Sequence, residues 1–114
     1  MPNPVMHFEI GCCSDSPRTQ QLYHDLFDWT IEPAGPAAYI KDAGISGHIT
    51  ALGHEPTHYT IFYVHVDDVA AYIAKAESLG CKKILGPIPI PTGVFAWIAD
   101  RDGNTIGLFK PAAA

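Results

Sequence analysis

Two ionisable residues one strand step apart raise the question of chemistry. In "VMHFEI" (residues 5–10) strict alternation puts Val5, His7 and Glu9 on one face and Met6, Phe8 and Ile10 on the other. A second run, "HYTIFYVHV" (58–66), sets Tyr59, Ile61, Tyr63 and His65 against Thr60, Phe62, Val64 and Val66. In each strand the aliphatic-rich face suits packing under a helix, and the mixed face suits a wet or ligand-filled concavity. Glu9 with His7 or His65 has the composition of a general acid–base pair, because burial raises a carboxyl pKa and a nearby cation lowers it. Phe95 and Trp97, from "GVFAWIAD", add flat surfaces on which a planar molecule stacks. Gly47 and Gly107 lie inside strand-like runs, where a glycine marks a bulge or a close approach. The set Glu9, Gly47, Tyr63, His65, Phe95, Trp97 and Gly107 therefore reads as an apolar pocket with a few orienting polar groups, made for a small organic molecule.

The elements that must position these residues are written twice. "DSPRTQQLYHDLF" (15–27) predicts a helix with Asp15 or Ser16 as cap, Pro17 in the first turn, and Leu22, Leu26 and Phe27 at helical spacing. "DDVAAYIAKAESLG" (67–80) predicts a second, with Val69, Ile73, Ala76 and Leu79 on one face and Gly80 as its stop. Each follows a strand, and each precedes three more strand-like runs. Superposing the halves places Asp15 on Asp67, Asp28 on Gly80, and, in the closing strands, Asp42 on Asp102 and Gly47 on Gly107. The order is strand, helix, three strands, in two copies.

At 114 residues the chain fits a single domain over 1–114, with one module at about 4–52 and the other at about 57–110. A formal net charge of −5 and a lone Lys82–Lys83 pair argue against nucleic acid as a partner. No apolar run approaches membrane-spanning length, and the N-terminus lacks the basic start and apolar stretch of a secretion signal. Three cysteines (Cys12, Cys13 and Cys81) without a Cys-x-x-Cys read as small buried thiols in a reducing, cytoplasmic setting. His24, His54 and His58 read as exposed, and "GPIPIPTG" (86–93) as a stiff connection. The open edges of two sheets supply a motive for a homodimer.

The stretches "LYHDLFDW", "VDDVAAYIAKAESLGCKKILGP" and "GVFAWIADRDGNTIGLF", in this order and spacing, resemble the vicinal oxygen chelate superfamily of glyoxalases, bleomycin-resistance proteins and extradiol dioxygenases. The resemblance spans residues 5–110 and is closest to the small single-domain, glyoxalase-like branch. It implies an α+β fold in which two βαβββ modules form curled mixed sheets around a cavity. It also implies four metal-ligand positions, which fall near His7 (or Glu9), on Ile61, on Gly107 and on its repeat mate Gly47. Neither isoleucine nor glycine offers a donor, so the standard metal site is expected to be missing and no cofactor is expected. The leading expectation is a glyoxalase- or bleomycin-resistance-like protein that binds a small, partly aromatic molecule. The alternative needs His48 to turn inward by one residue of register. His7, Glu9 and His48 would then hold a divalent ion such as zinc, nickel, manganese or iron for a lyase, isomerase or dioxygenase. Whether the chain turns its ligand over is left open by the sequence.

Overall fold

A computed structural model describes residues 2–12, 16–35, 37–51 and 58–113. Its elements run β1 (Val5–Gly11), α1 (Ser16–Phe27), β2 (Ile31–Ala34), β3 (Ala37–Ile40), β4 (Ser46–Thr50), β5 (Tyr59–His65), α2 (Val69–Ser78), β6 (Lys82–Ile90), β7 (Gly93–Ala99) and β8 (Thr105–Pro111). The order strand, helix, three strands occurs twice, giving the α+β fold of two βαβββ modules. The chain divides into two compact units, residues 7–61 and residues 1–6 with 62–114.

In the unit of residues 7–61 the strand order is β2-β3-β4-β1, with β1 parallel to β4 and the other pairs antiparallel. Ile10, Cys12, Ile40 and Ile49 are buried there, with Phe8, Tyr23, Trp29 and Ile31 packed against them. Helix α1 engages this core through aromatic residues. Tyr23 and Phe27, one turn apart, lie 5.9 and 5.0 Å from the Trp29 ring. Leu22, Leu26 and Phe27, read from spacing as the packed set, are instead 55%, 62% and 51% exposed. Tyr23, one position on from Leu22, is the helix residue that packs against the core. Ser16 begins the helix and its Oγ accepts from Gln20 Nε2 at 2.9 Å, while Asp15 lies outside the described residues.

In the other unit the order is β5-β8-β7-β6, with β5 parallel to β8. Val66, Val69, Ile73, Ala96, Ile98 and Leu108 form its core. Asp68 caps α2 by accepting from the Ala71 N–H at 3.0 Å, which satisfies one of the orphan donors of the first turn. Val69 and Ile73 are buried and Ala76 packs against the core as the spacing predicts, but Leu79 is exposed. It is the C-terminal cap, where the helix already unwinds. Asp28 and Gly80, the repeat mates that follow the two helices, both adopt positive φ (+60° and +99°). The duplication thus reaches down to the backbone conformation of the helix stops.

The proline run is corrected. Residues 86–90 belong to strand β6 rather than to a connection, and its register against β7 shifts twice, at Lys83/Leu85 and Leu85/Ile88. An edge position tolerates proline because a missing ladder donor costs nothing on the open side. Cys12 is buried and donates its thiol to the Thr50 carbonyl at 3.3 Å, Cys81 is half-buried, and neither is in a disulfide. Cys13 and His54 lie outside the described residues, and His24 and His58 are exposed. Among the described residues no helix is long and apolar enough to cross a membrane.

Candidate functional site

The β1–β4 register decides which side chains meet. His7 pairs with Ser46, Glu9 with His48 and Gly11 with Thr50, so these residues share a face, and Phe8 pairs with Gly47 on the face covered by α1. His48 is therefore the residue that stands beside Glu9. The expectation that Gly47 opens space on the His7/Glu9 face is overturned. A Cβ at Gly47 would come within 2.2 Å of the Phe8 ring, so the glycine makes room for core packing under α1. Gly47 faces Phe8 and Gly107 faces Tyr63, so the two overlaid glycines stand on different faces of their strands relative to the helix of their own unit.

On the face opposite α1 the side chains form a row. Ser46 Oγ lies 2.7 Å from His7 Nδ1, His7 Nε2 lies 2.7 Å from His48 Nδ1, and His48 Nε2 lies 3.3 Å from Glu9 Oε1. The two imidazoles stack with centroids 4.9 Å apart and planes inclined by 30°. Tyr59, at the start of β5, donates its phenol hydrogen to Glu9 Oε2. Its ring passes over Gly11, where a Cβ would sit 2.3 Å from a ring carbon. That is a close approach only glycine permits. Glu9 itself is only 4% exposed, Ser46 is exposed, and His7, His48 and Tyr59 are intermediate.

This setting shapes the charges. Burial, reinforced by the neighbouring His48, lowers the His7 pKa from 6.5 to about 4, against the opposing pull of Glu9. Burial, together with the Glu9 hydrogen bond and charge, pushes the Tyr59 phenol well above its ordinary value. At neutral pH, His7 is thus an uncharged ring with one N–H, and Tyr59 is a donor. Thr50, 1% exposed on the same face, has no hydrogen-bond partner for its Oγ1 among the described residues. An open hollow of about 460 Å³ lies elsewhere in the unit, beside α1 and β2 (Gln20, His24 and Ile31 among its walls), and none of the candidate residues lines it.

His7, Glu9 and His48 are the three residues of the metal alternative, and the fold brings them together. As arranged they do not fit an ion. Both His48 nitrogens are engaged, one toward His7 and the other toward Glu9, so the donors run in a line rather than converging on a point. Among the described residues no group of three His, Cys, Asp or Glu is disposed to hold a metal.

The remaining candidates are in the other unit. Tyr63 and Trp97 are 5% and 3% exposed, and the Trp97 indole N–H donates to the Tyr63 hydroxyl at 2.8 Å. Phe95 and Phe109 meet the Tyr63 ring edge-on at 6.3 and 6.4 Å. Gly107 stands opposite Tyr63, and a Cβ there would fall 2.3 Å from its ring. Gly107 therefore accommodates Tyr63, which corrects the expectation that it leaves volume for a guest. His65 is half-buried, and its backbone bonds Pro4 and Asn3. It lies in the other unit from Glu9. Ser46 and Thr50 were missed in the sequence. Alternation outward from His48 would have found both.

No protein-family model matches the sequence, and no curated protein matches it. Solved structures do. A glyoxalase/bleomycin resistance protein/dioxygenase superfamily member from Vibrio splendidus matches with a TM-score of 0.64 at 14% identity, over 97% of this chain and 100% of that one. The chain has the fold of that superfamily. The methylmalonyl-CoA epimerase of Mycobacterium tuberculosis shares the superfamily fold at TM-score 0.65 and 16% identity, over 96% of this chain and 88% of that one. So does 2,2',3-trihydroxybiphenyl 1,2-dioxygenase from Sphingomonas wittichii, at TM-score 0.69 and 16% identity, with 99% of this chain covering 42% of that one. The fold resemblance read from the sequence is therefore shown, while identities this low carry the architecture and not the reaction.

Proposed function

We propose that the chain binds a small organic molecule against the polar face of β1 and β4 and moves a proton to or from it with Glu9. The carrying observation is the burial of Glu9 with the Tyr59 phenol on one oxygen and His48 beside the other. A buried carboxylate is a poor device for stability, since apolar residues of similar volume are usually as good or better. It is a good device for proton transfer, because a water-poor setting and positioned partners tune its basicity. The aromatic ligand surface expected from Phe95 and Trp97 contributes less to this reading, because Trp97 is spent on Tyr63. A homodimer built through strand edges belongs to the same proposal and is read by light scattering.

The test is incorporation of solvent deuterium. Wild-type protein in D2O, incubated with small aromatic oxo and hydroxy acids, is expected to exchange hydrogen next to the carbonyl of at least one of them. Glu9→Gln is expected to slow that exchange by about 100-fold or more, the usual scale of a positioned acid or base. Equal rates in the two proteins would overturn the reading.

A further inference from the structure

We propose that Ser46, His7 and His48 form a proton relay linking the protein surface to the buried Glu9 carboxylate, with a single direction of hydrogen bonding. It rests on the reading of Glu9 as the proton-transferring group. A buried acid or base must be reset after each transfer, and burial that tunes it also cuts it off from water. The row solves this by position. Ser46 is exposed, His7 and His48 are intermediate and Glu9 is buried, with successive separations of 2.7, 2.7 and 3.3 Å.

The direction follows from counting hydrogens. Tyr59 donates to Glu9 Oε2, so the carboxylate accepts there and is left to accept at Oε1 as well. His48 Nε2, at ion-pair distance from Oε1, then directs a ring hydrogen toward it. When His48 is neutral that is its one ring hydrogen, so His48 Nδ1 accepts, and the hydrogen between the two rings belongs to His7 Nε2. His7 Nδ1 in turn accepts from the Ser46 hydroxyl. Both hydrogen bonds of the row, and the His48–Glu9 contact that ends it, then point toward Glu9. When Glu9 takes the His48 Nε2 hydrogen, His48 Nδ1 takes one from His7, His7 Nδ1 takes one from Ser46, and Ser46 takes one from water. Four O–H or N–H bonds break and four form, one proton moves from solvent to the carboxylate, and both rings end as the opposite tautomer. Tyr39, opposite His48 on β3, has its ring 6.4 Å away and takes no part.

Long-range nitrogen–proton NMR of the imidazole side chains reads the tautomers directly at pH 7, with resonances assigned by His7→Gln and His48→Gln. The expected result is His7 and His48 both neutral with hydrogen on Nε2. Exchange of the His48 Nε2 hydrogen with water is expected to slow at least tenfold in Ser46→Ala, whose exposed site leaves the fold intact by backbone spectra. Either ring found as the Nδ1–H form or doubly protonated, or His48 exchange unaltered by Ser46→Ala, would overturn the relay. These readouts need no substrate, so they fail or stand separately from the deuterium test of Glu9.

Discussion

Tyr59 gives the buried Glu9 carboxylate a hydrogen bond. Tyr59→Phe removes that donor, and urea unfolding is expected to show a loss of about 1–3 kcal/mol, the scale of a hydrogen bond lost from a buried group. Thr50 is the reverse case. Its Oγ1 is buried without a partner among the described residues, so Thr50→Val is expected to be neutral or to raise the melting temperature. A clear drop would mean that the hydroxyl has a partner, such as a bound water or ligand. His7 supplies a pH signature. Its folded pKa of about 4 is below the ordinary 6.5, so within that window the unfolded chain takes up a proton that the folded chain refuses. Stability should fall as pH drops from 6.5 toward 4, and His7→Gln should flatten that slope relative to wild type. At this scale the sequence was legible in part. His7 and Glu9 were readable from alternation, but the partner of Glu9 depended on the register of a short strand rich in small residues, where one step exchanges His48 for Gly47.

Among elements, α2 was the most legible, because a cap, an apolar stripe and a terminal glycine all agree. Helix α1 was placed correctly but its packed face was not, since Tyr23 meets the core while Leu22, Leu26 and Phe27 are exposed. The proline run was misread because proline marks both loops and edge strands. The two closing-strand glycines give a graded test. Gly107→Ala drives a methyl into the ring of Tyr63, which is buried and held by Trp97, whereas Gly47→Ala displaces the outer atoms of the half-buried Phe8. Overpacking of about 1–3 kcal/mol is expected for Gly107→Ala and less for Gly47→Ala, as compared by chemical denaturation. Asp28 holds a left-handed backbone at the position where its repeat mate is Gly80. Asp28→Gly removes that strain and is expected to be neutral or stabilising by up to about 1 kcal/mol.

On the scale of the whole chain, duplication was the strongest signal, and it gave the order of all ten elements. What duplication could not give is how the two copies have diverged. Residues 7–61 carry a polar row on the face away from the helix, while in the other unit Tyr63 packs with Trp97, Phe95 and Phe109. A repeat read as symmetrical misses that difference.

If Glu9 and Tyr59 are placed for chemistry, as proposed above, they do not hold the strands together. Equilibrium urea unfolding of the double replacement Glu9→Met with Tyr59→Phe addresses it directly, since it removes the buried charge and its donor together. The account predicts a protein as stable as wild type or more stable, as for other buried polar groups exchanged for apolar ones of similar volume. A loss of about 3 kcal/mol or more would contradict it, because the pair would then be part of what keeps the unit folded.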